Sequence, residues 1–183
     1  MKSFGRGTKK KLVALFALLL IVPAVGYAAH SSNLGSLKSA GFEVGDLRAM
    51  DGDGKEQRLG DLRGSKVVVF FYPRDETPGC TTEACAFRDQ WARFEEAGVK
   101  VIGVSGGTAS GKADFAKKQR LPFPLVTDED LSWARAFGVR VLLGIPSRTS
   151  FLLDREGRIS KVYENVDPGL HADEVLKDAA AIQ

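Results

Sequence analysis

Lys66–Tyr72 reads KVVVFFY, closed by Pro73. A run so apolar, without polar alternation, suits a strand buried on both faces. Val99–Ser105, VKVIGVS, is a second such run. Between them Ala84, Phe87, Trp91 and Phe94 recur at three- and four-residue steps. That spacing predicts a helix over Cys80–Ala97. Further on, Phe123–Thr127 predicts a third strand, and Ala113–Arg120 and Leu131–Phe137 predict short helices. Ser150–Asp154 and Arg158–Tyr163 flank the turn Arg155-Glu156-Gly157 as a hairpin, and His171–Ile182 closes the chain as a helix. Residues 41–65 read as short turn-rich pieces, with DGDG at 51–54 the clearest turn. Strands alternating with helices, then a late hairpin, imply an α/β sandwich with a central mixed sheet flanked by helices.

The amino terminus is of another kind. Lys9-Lys10-Lys11 precedes the apolar stretch 12–29, which ends in small residues. Residues 1–29 therefore read as a signal peptide, with Ala28 as the cleavage position, or as an uncleaved N-terminal membrane anchor. Either reading places the body outside the cytoplasm, in the periplasm or facing out from the membrane. Residues 30–40 are a polar linker, and 41–183 form one domain. The formal net charge of +3 belongs to this leader: without residues 1–28, Lys+Arg falls to 21 against 23 Asp+Glu. A slightly acidic body has no electrostatic footprint for nucleic acid. Two Cys and two His exclude a disulfide-dense scaffold, a Cys-rich zinc site and a His cluster. About 150 residues bury roughly 68–70% of the unfolded surface, so the body needs no stapling disulfide.

The chemistry lies in Phe71–Asp89, FYPRDETPGCTTEACAFRD. Thr77 then Pro78 is a helix-start signal, with Thr at the N-cap and Pro in the first helical position. Cys80 then takes the third helical position, and the Thr77 hydroxyl should reach its amide. Free amides and the positive end of the helix dipole favour a thiolate, so Cys80 is expected to be reactive. Asp75 and Glu76 oppose this, and a cation must outweigh them. Cys85 lies five residues on. In an intact helix the two Cα atoms stand roughly 8–9 Å apart, beyond disulfide reach. Either the first turns unwind or no bridge forms. The plainer alternatives are two buried core cysteines or a structural bridge.

Pro73-x-x-x-Thr77-x-x-Cys80 resembles the active-site motif of the peroxiredoxins. The longer Tyr72-Pro73…Thr77-Pro78-Gly79-Cys80-Thr81…Ala84-Cys85…Arg88-Asp89 is similar to the Q-type subgroup, the bacterioferritin comigratory proteins, down to the spacing of its cysteines. Gly144–Phe151, GIPSRTSF, resembles the segment that delivers the family's active-site arginine. The resemblance spans about residues 60–180. It implies a thioredoxin-like fold and a peroxidase that uses no metal, haem or other cofactor. Carried over, Cys80 is the peroxidatic thiolate and Cys85 the resolving thiol that closes an intramolecular disulfide. Thr77 hydrogen-bonds the sulfur and the incoming peroxide, Arg148 supplies the missing cation, and Pro73 walls the site against water. The implied partners are hydrogen peroxide or an organic hydroperoxide and a thioredoxin-like dithiol protein as reductant. Nothing requires a partner chain, so a monomer is expected, touching a membrane only through residues 12–29 if these are uncleaved. Two alternatives on the same fold are a redox-sensing module without turnover and a disulfide oxidoreductase, though no Cys-x-x-Cys is present. One departure from the family is Gly45–Asp51, GDLRAMD, which is shortened and leaves edge pairing there open.

Other signals weigh less. Gly106–Ala113, GGTASGKA, nearly matches the phosphate loop G-x-x-x-x-G-K-[ST], but Ala113 lacks the hydroxyl for Mg²⁺. A flexible strand-to-helix connection is the expected reading. Arg88 is expected to form a helix-packing ion pair and Glu83 to be solvated. Trp91 and Trp133 are expected in the core, and His171 at the start of the last helix.

Overall fold

A computed structural model describes residues 36–164 and 166–182. The leader 1–29 and linker residues 30–35 lie outside these. Among the described residues no helix is long and apolar enough to cross a membrane.

The chain opens with two short strands, β1 (Arg48–Met50) and β2 (Glu56–Arg58), and a 3₁₀ turn at Leu59–Leu62. Next come β3 (Lys66–Phe71), α1 (Pro78–Asp89), α2 (Trp91–Glu96) and β4 (Val99–Ser105). They are followed by α3 (Ala109–Gln119), β5 (Leu125–Thr127) and α4 (Ser132–Phe137). A small ribbon, β6 (Val141–Leu142) and β7 (Ile145–Pro146), precedes β8 (Thr149–Leu153), β9 (Ile159–Tyr163) and α5 (His171–Ala179). Five strands form one sheet in the order β5-β4-β3-β8-β9. β3 runs parallel to β4 and antiparallel to β8, so the sheet is mixed, as expected.

All six residues of β3 are buried, which is why its sequence does not alternate. Successive side chains still point to opposite faces. Val68, Phe70 and Tyr72 enter a core with Phe87, Phe94, Phe115 and Val175 from the helices. Val67, Val69 and Phe71 enter the core on the other face, with Trp133 and Phe137 of α4 and Val44 and Leu59 from the opening segment. Both tryptophans pack as expected: Trp133 is buried and Trp91 lies half-buried against the first core. Lys66 begins β3, and its buried ammonium donates to the Ala179 carbonyl at 2.8 Å, a cation at the open end of α5.

Several boundaries differ from the sequence expectation, each for a local reason. The helix expected over 80–97 starts at Pro78 and breaks at Gln90, whose backbone leaves the helical region. The break lets the chain return to Val99, which must lie opposite Lys66 to begin β4. α3 begins four residues before Ala113, because the Thr108 hydroxyl accepts from the Gly111 amide at 3.1 Å and caps it. Gly111 obscured that start. β5 begins at Leu125 and not Phe123, since Pro124 has no amide for the ladder. The shortened Gly45–Asp51 segment still pairs: Met50 lies opposite Glu56, and Asp51 bridges to Val126 of β5.

Candidate active site

Cys80 is the third residue of α1, at the carboxyl end of β3, and only 1% exposed. The loop from β3 to α1 turns sharply, with Glu76 at φ 59°. Thr77 is the N-cap, yet its side chain does not cap the helix. Its hydroxyl donates backwards to the Arg74 carbonyl at 3.1 Å, which corrects the expectation that it reaches the Cys80 amide. Pro78 has no N–H, so the amides of Gly79 and Cys80 begin the helix without a side-chain partner among the described residues. Pro73 is half-buried in the same loop, directly after Tyr72.

The cation comes from the segment that leads into the neighbouring strand. β8 runs antiparallel to β3, and Thr149 pairs with Phe71. Arg148, just before β8, is thereby carried to the start of α1. Its Nη2 donates to Cys80 Sγ at 3.2 Å. Its Nη1 binds the Glu83 carboxylate. Glu83 is not solvated as expected: it lies on the inner face of α1, one turn past Cys80, and is fully buried. Burial pushes its carboxyl up to about 7, against the pull of the Arg148 guanidinium. The spacing of three residues from Cys80 to Glu83 on one helix face was the available signal. Gly79 has little spare room, since a Cβ there would come within 3.3 Å of Arg148 Nη2.

Cys85 is in the same unbroken helix but not in the same place. It is half-buried, whereas Cys80 is buried, and both thiols are free. Its thiol donates to Gln119 Oε1 at 3.6 Å, at the end of α3. Arg88 fixes this corner: it pairs with Asp89 and donates to the Gln119 carbonyl at 2.6 Å. With α1 intact the two Cα atoms stay roughly 8–9 Å apart. The structure thus joins Cys80 to Arg148, keeps Thr77 and Pro73 in the adjoining loop, and holds Cys85 apart.

Asp75 of the loop is also answered. Its two oxygens accept from the Tyr72 hydroxyl at 2.7 Å and from Lys112 Nζ at 2.8 Å. Sequence reasoning missed Lys112 because it read the lysine as part of an imperfect phosphate loop. His171 opens α5 as expected and is fully buried, edge-on to Phe87 and Tyr163. Burial lowers it to about 4.

Residues 40–162 match the profile of the AhpC/TSA family. The chain is 43% identical over 158 residues to the chloroplastic peroxiredoxin Q of Gentiana triflora, covering 85% of this chain and 72% of that protein. Other plant relatives are spanned over as little as 60% of their length. Among solved structures, the peroxidoxin BcpB of Mycobacterium tuberculosis superposes with a TM-score of 0.75 at 36% identity, over 80% of this chain and 99% of that one. The bacterioferritin comigratory protein of Xanthomonas campestris, studied for its alkyl peroxide reduction activity, gives 0.72 at 35% identity, over 78% and 98%. The sheet and its flanking helices are those of the thioredoxin-like peroxiredoxin fold.

Proposed function

The chain belongs to the AhpC/TSA family, in its peroxiredoxin Q branch, and from that premise we propose how its two cysteines work as a thiol-dependent peroxidase. The carrying observation is the 3.2 Å contact between Arg148 Nη2 and the buried Cys80 sulfur at a helix start. A guanidinium and a helix N-terminus both favour a thiolate. Cys80 Sγ attacks one oxygen of a hydrogen peroxide or an organic hydroperoxide. The S–O bond forms as the O–O bond breaks, and the leaving oxygen departs as water or alcohol after taking a proton. Arg148 and the free first-turn amides stabilise the charge that develops on that oxygen. Cys80 is left as a sulfenic acid.

Resolution needs motion. The first turns of α1 unwind, the Cys85 sulfur attacks the Cys80 sulfur, the S–OH bond breaks, and water leaves as the disulfide closes. A thioredoxin-like dithiol then supplies two electrons by exchange and restores both thiols. Thr77 in this reading must turn its hydroxyl from Arg74 toward the incoming peroxide, while Pro73 shields the sulfur from bulk water. The resolving thiol lies on the same helix as Cys80, so resolution calls for no second chain, which supports a monomer. The basic and apolar leader supports export, with the domain working outside the cytoplasm, either free after cleavage or held by residues 12–29.

The test is steady-state peroxide consumption with thioredoxin and its reductase, joined to mass mapping of peroxide-treated protein. The parent chain consumes peroxide and yields an 80–85 bridge, and Cys80→Ser abolishes both. Full activity in Cys80→Ser would overturn the site. Oxidation of Cys80 without turnover by any dithiol would make the protein a sensor.

A further inference from the structure

Lys112 is a fully buried lysine that the mechanism above does not use. Its ammonium makes three close contacts: Asp75 Oδ2 at 2.8 Å, Ser105 Oγ at 2.6 Å and the Gly106 carbonyl at 2.6 Å. It also stands 5.4 Å from the centre of the Tyr72 ring. Every donor is used, so the side chain is folded inward and offers nothing to a phosphate. Burial lowers its basicity, and Asp75 pulls the other way.

A buried ion pair is weak evidence of stability, because removing two charges from water costs about as much as their attraction returns. Its placement carries more meaning. Asp75 lies in the loop between β3 and α1, five residues before Cys80. Ser105 ends β4, Gly106 follows it, and Lys112 sits on α3. Tyr72, which holds the second oxygen of Asp75, shares one buried cluster with Cys80. Among the described residues the charged and titratable groups around the sulfur are few, and His171 of α5, kept neutral by burial, lies near Arg148. Arg148 comes from the segment before β8 and Glu83 from α1. Asp75 comes from the loop, with Lys112 behind it on α3, and the Tyr72 phenol is kept neutral by burial. Arg148 is shared with Glu83. An unanswered Asp75 would leave that side of the site net negative and oppose a thiolate.

We propose that Lys112 is a positioning residue of the peroxidatic centre: its ammonium ties Asp75 to the end of β4 and offsets the loop carboxylate whose charge would otherwise disfavour the Cys80 thiolate. This rests on the reading of Cys80 as the attacking sulfur. Lys112 and Asp75 should then act on Cys80 with opposite signs.

The experiment measures alkylation of Cys80 by iodoacetamide across pH, in full-length protein carrying Cys85→Ser. Lys112→Met moves the acid limb of the profile to higher pH, slowing alkylation about tenfold there while the alkaline plateau stays. Asp75→Asn moves the limb to lower pH. The double variant returns near the parent. Loss of rate by the same factor at every pH, or shifts of the two single variants in one direction, would overturn the proposal. If Lys112→Met does not fold, the sign of the Asp75→Asn shift decides. Opposite shifts in a protein that consumes no peroxide would sink the peroxidase reading and leave this one standing.

Discussion

The two halves of α1 are held by different forces. The first, from Thr77 to Glu83, is fastened by polar contacts: Arg148 binds both the Cys80 sulfur and the Glu83 carboxylate. Its N-cap side chain gives it no bond, and the residue before that cap sits at positive φ. The second half, from Ala84 to Asp89, is fastened by packing. Phe87 is fully buried, stacked 5.0 Å from Phe70 and 5.4 Å from the His171 ring. Arg88 adds a tie to the end of α3. Polar contacts to Cys80 change when its sulfur is oxidised, whereas aromatic packing does not. In the proposed mechanism the helix therefore loosens at the end that carries Cys80. Cys85 stands on the seam between the two halves, and it can be reached only if the first half lets go.

The sharpest way to break this contrast is Cys85→Ser. Its first oxidation by peroxide proceeds as in the parent, but turnover through the disulfide is lost. Hydrogen exchange sharpens the point. In the oxidised parent the amides of residues 79–84 exchange faster while those of 87–89 stay slow, and oxidised Cys85→Ser, whose Cys80 has also lost its thiolate contacts, loosens the same residues without closing a bridge. Equal loosening of both halves in the parent would end the comparison.

Arg148→Met comes next. It removes the guanidinium that donates to the sulfur and leaves Glu83 buried without that partner. First-oxidation rates should fall about 10²–10³-fold, the usual cost of losing one preorganised donor. Stopped-flow oxidation of the variant checks this, and a drop of less than threefold would deny Arg148 its role.

His171 probes the packed half. Burial lowers it from the ordinary 6.5 to about 4, so its neutral form belongs to the fold. Its stabilisation is complete above pH 6.5 and is lost as pH falls toward about 4. That loss is on the order of 3 kcal/mol at most. Glu83 acts with the opposite sign: its raised carboxyl, at about 7, favours folding as pH falls toward the unfolded value of 4.5. The clean readout is therefore a difference. Urea unfolding of the parent against His171→Leu should show the parent losing relative stability on acidification between these limits, with the variant lacking that component. Gln119→Ala gives the smallest effect. It frees the Cys85 thiol of one weak hydrogen bond, so disulfide formation after a peroxide pulse should quicken about two- to threefold.

Much of this molecule was legible in its residues. The unbroken apolar runs at 66–72 and 99–105 marked central strands, because both faces of the sheet are covered. Thr77-Pro78 marked the helix start, and the five-residue interval from Cys80 to Cys85 meant that a bridge could close only if the first turns unwind, since helix geometry is the same in every fold. Local patterns of that kind depend only on neighbours along the chain. The rest did not. Arg148 meets Cys80 across 68 residues because β8 lies antiparallel beside β3. Glu83 looked like a solvent-facing charge and Lys112 like part of a flexible connection, because nothing nearby in sequence says what covers a helix face. Strand order and layer packing settled which charges would be stripped of water, and a charge stripped of water must find a partner. The sequence by itself determined that Cys80 sits at a helix start; only the tertiary structure decided which ions surround it.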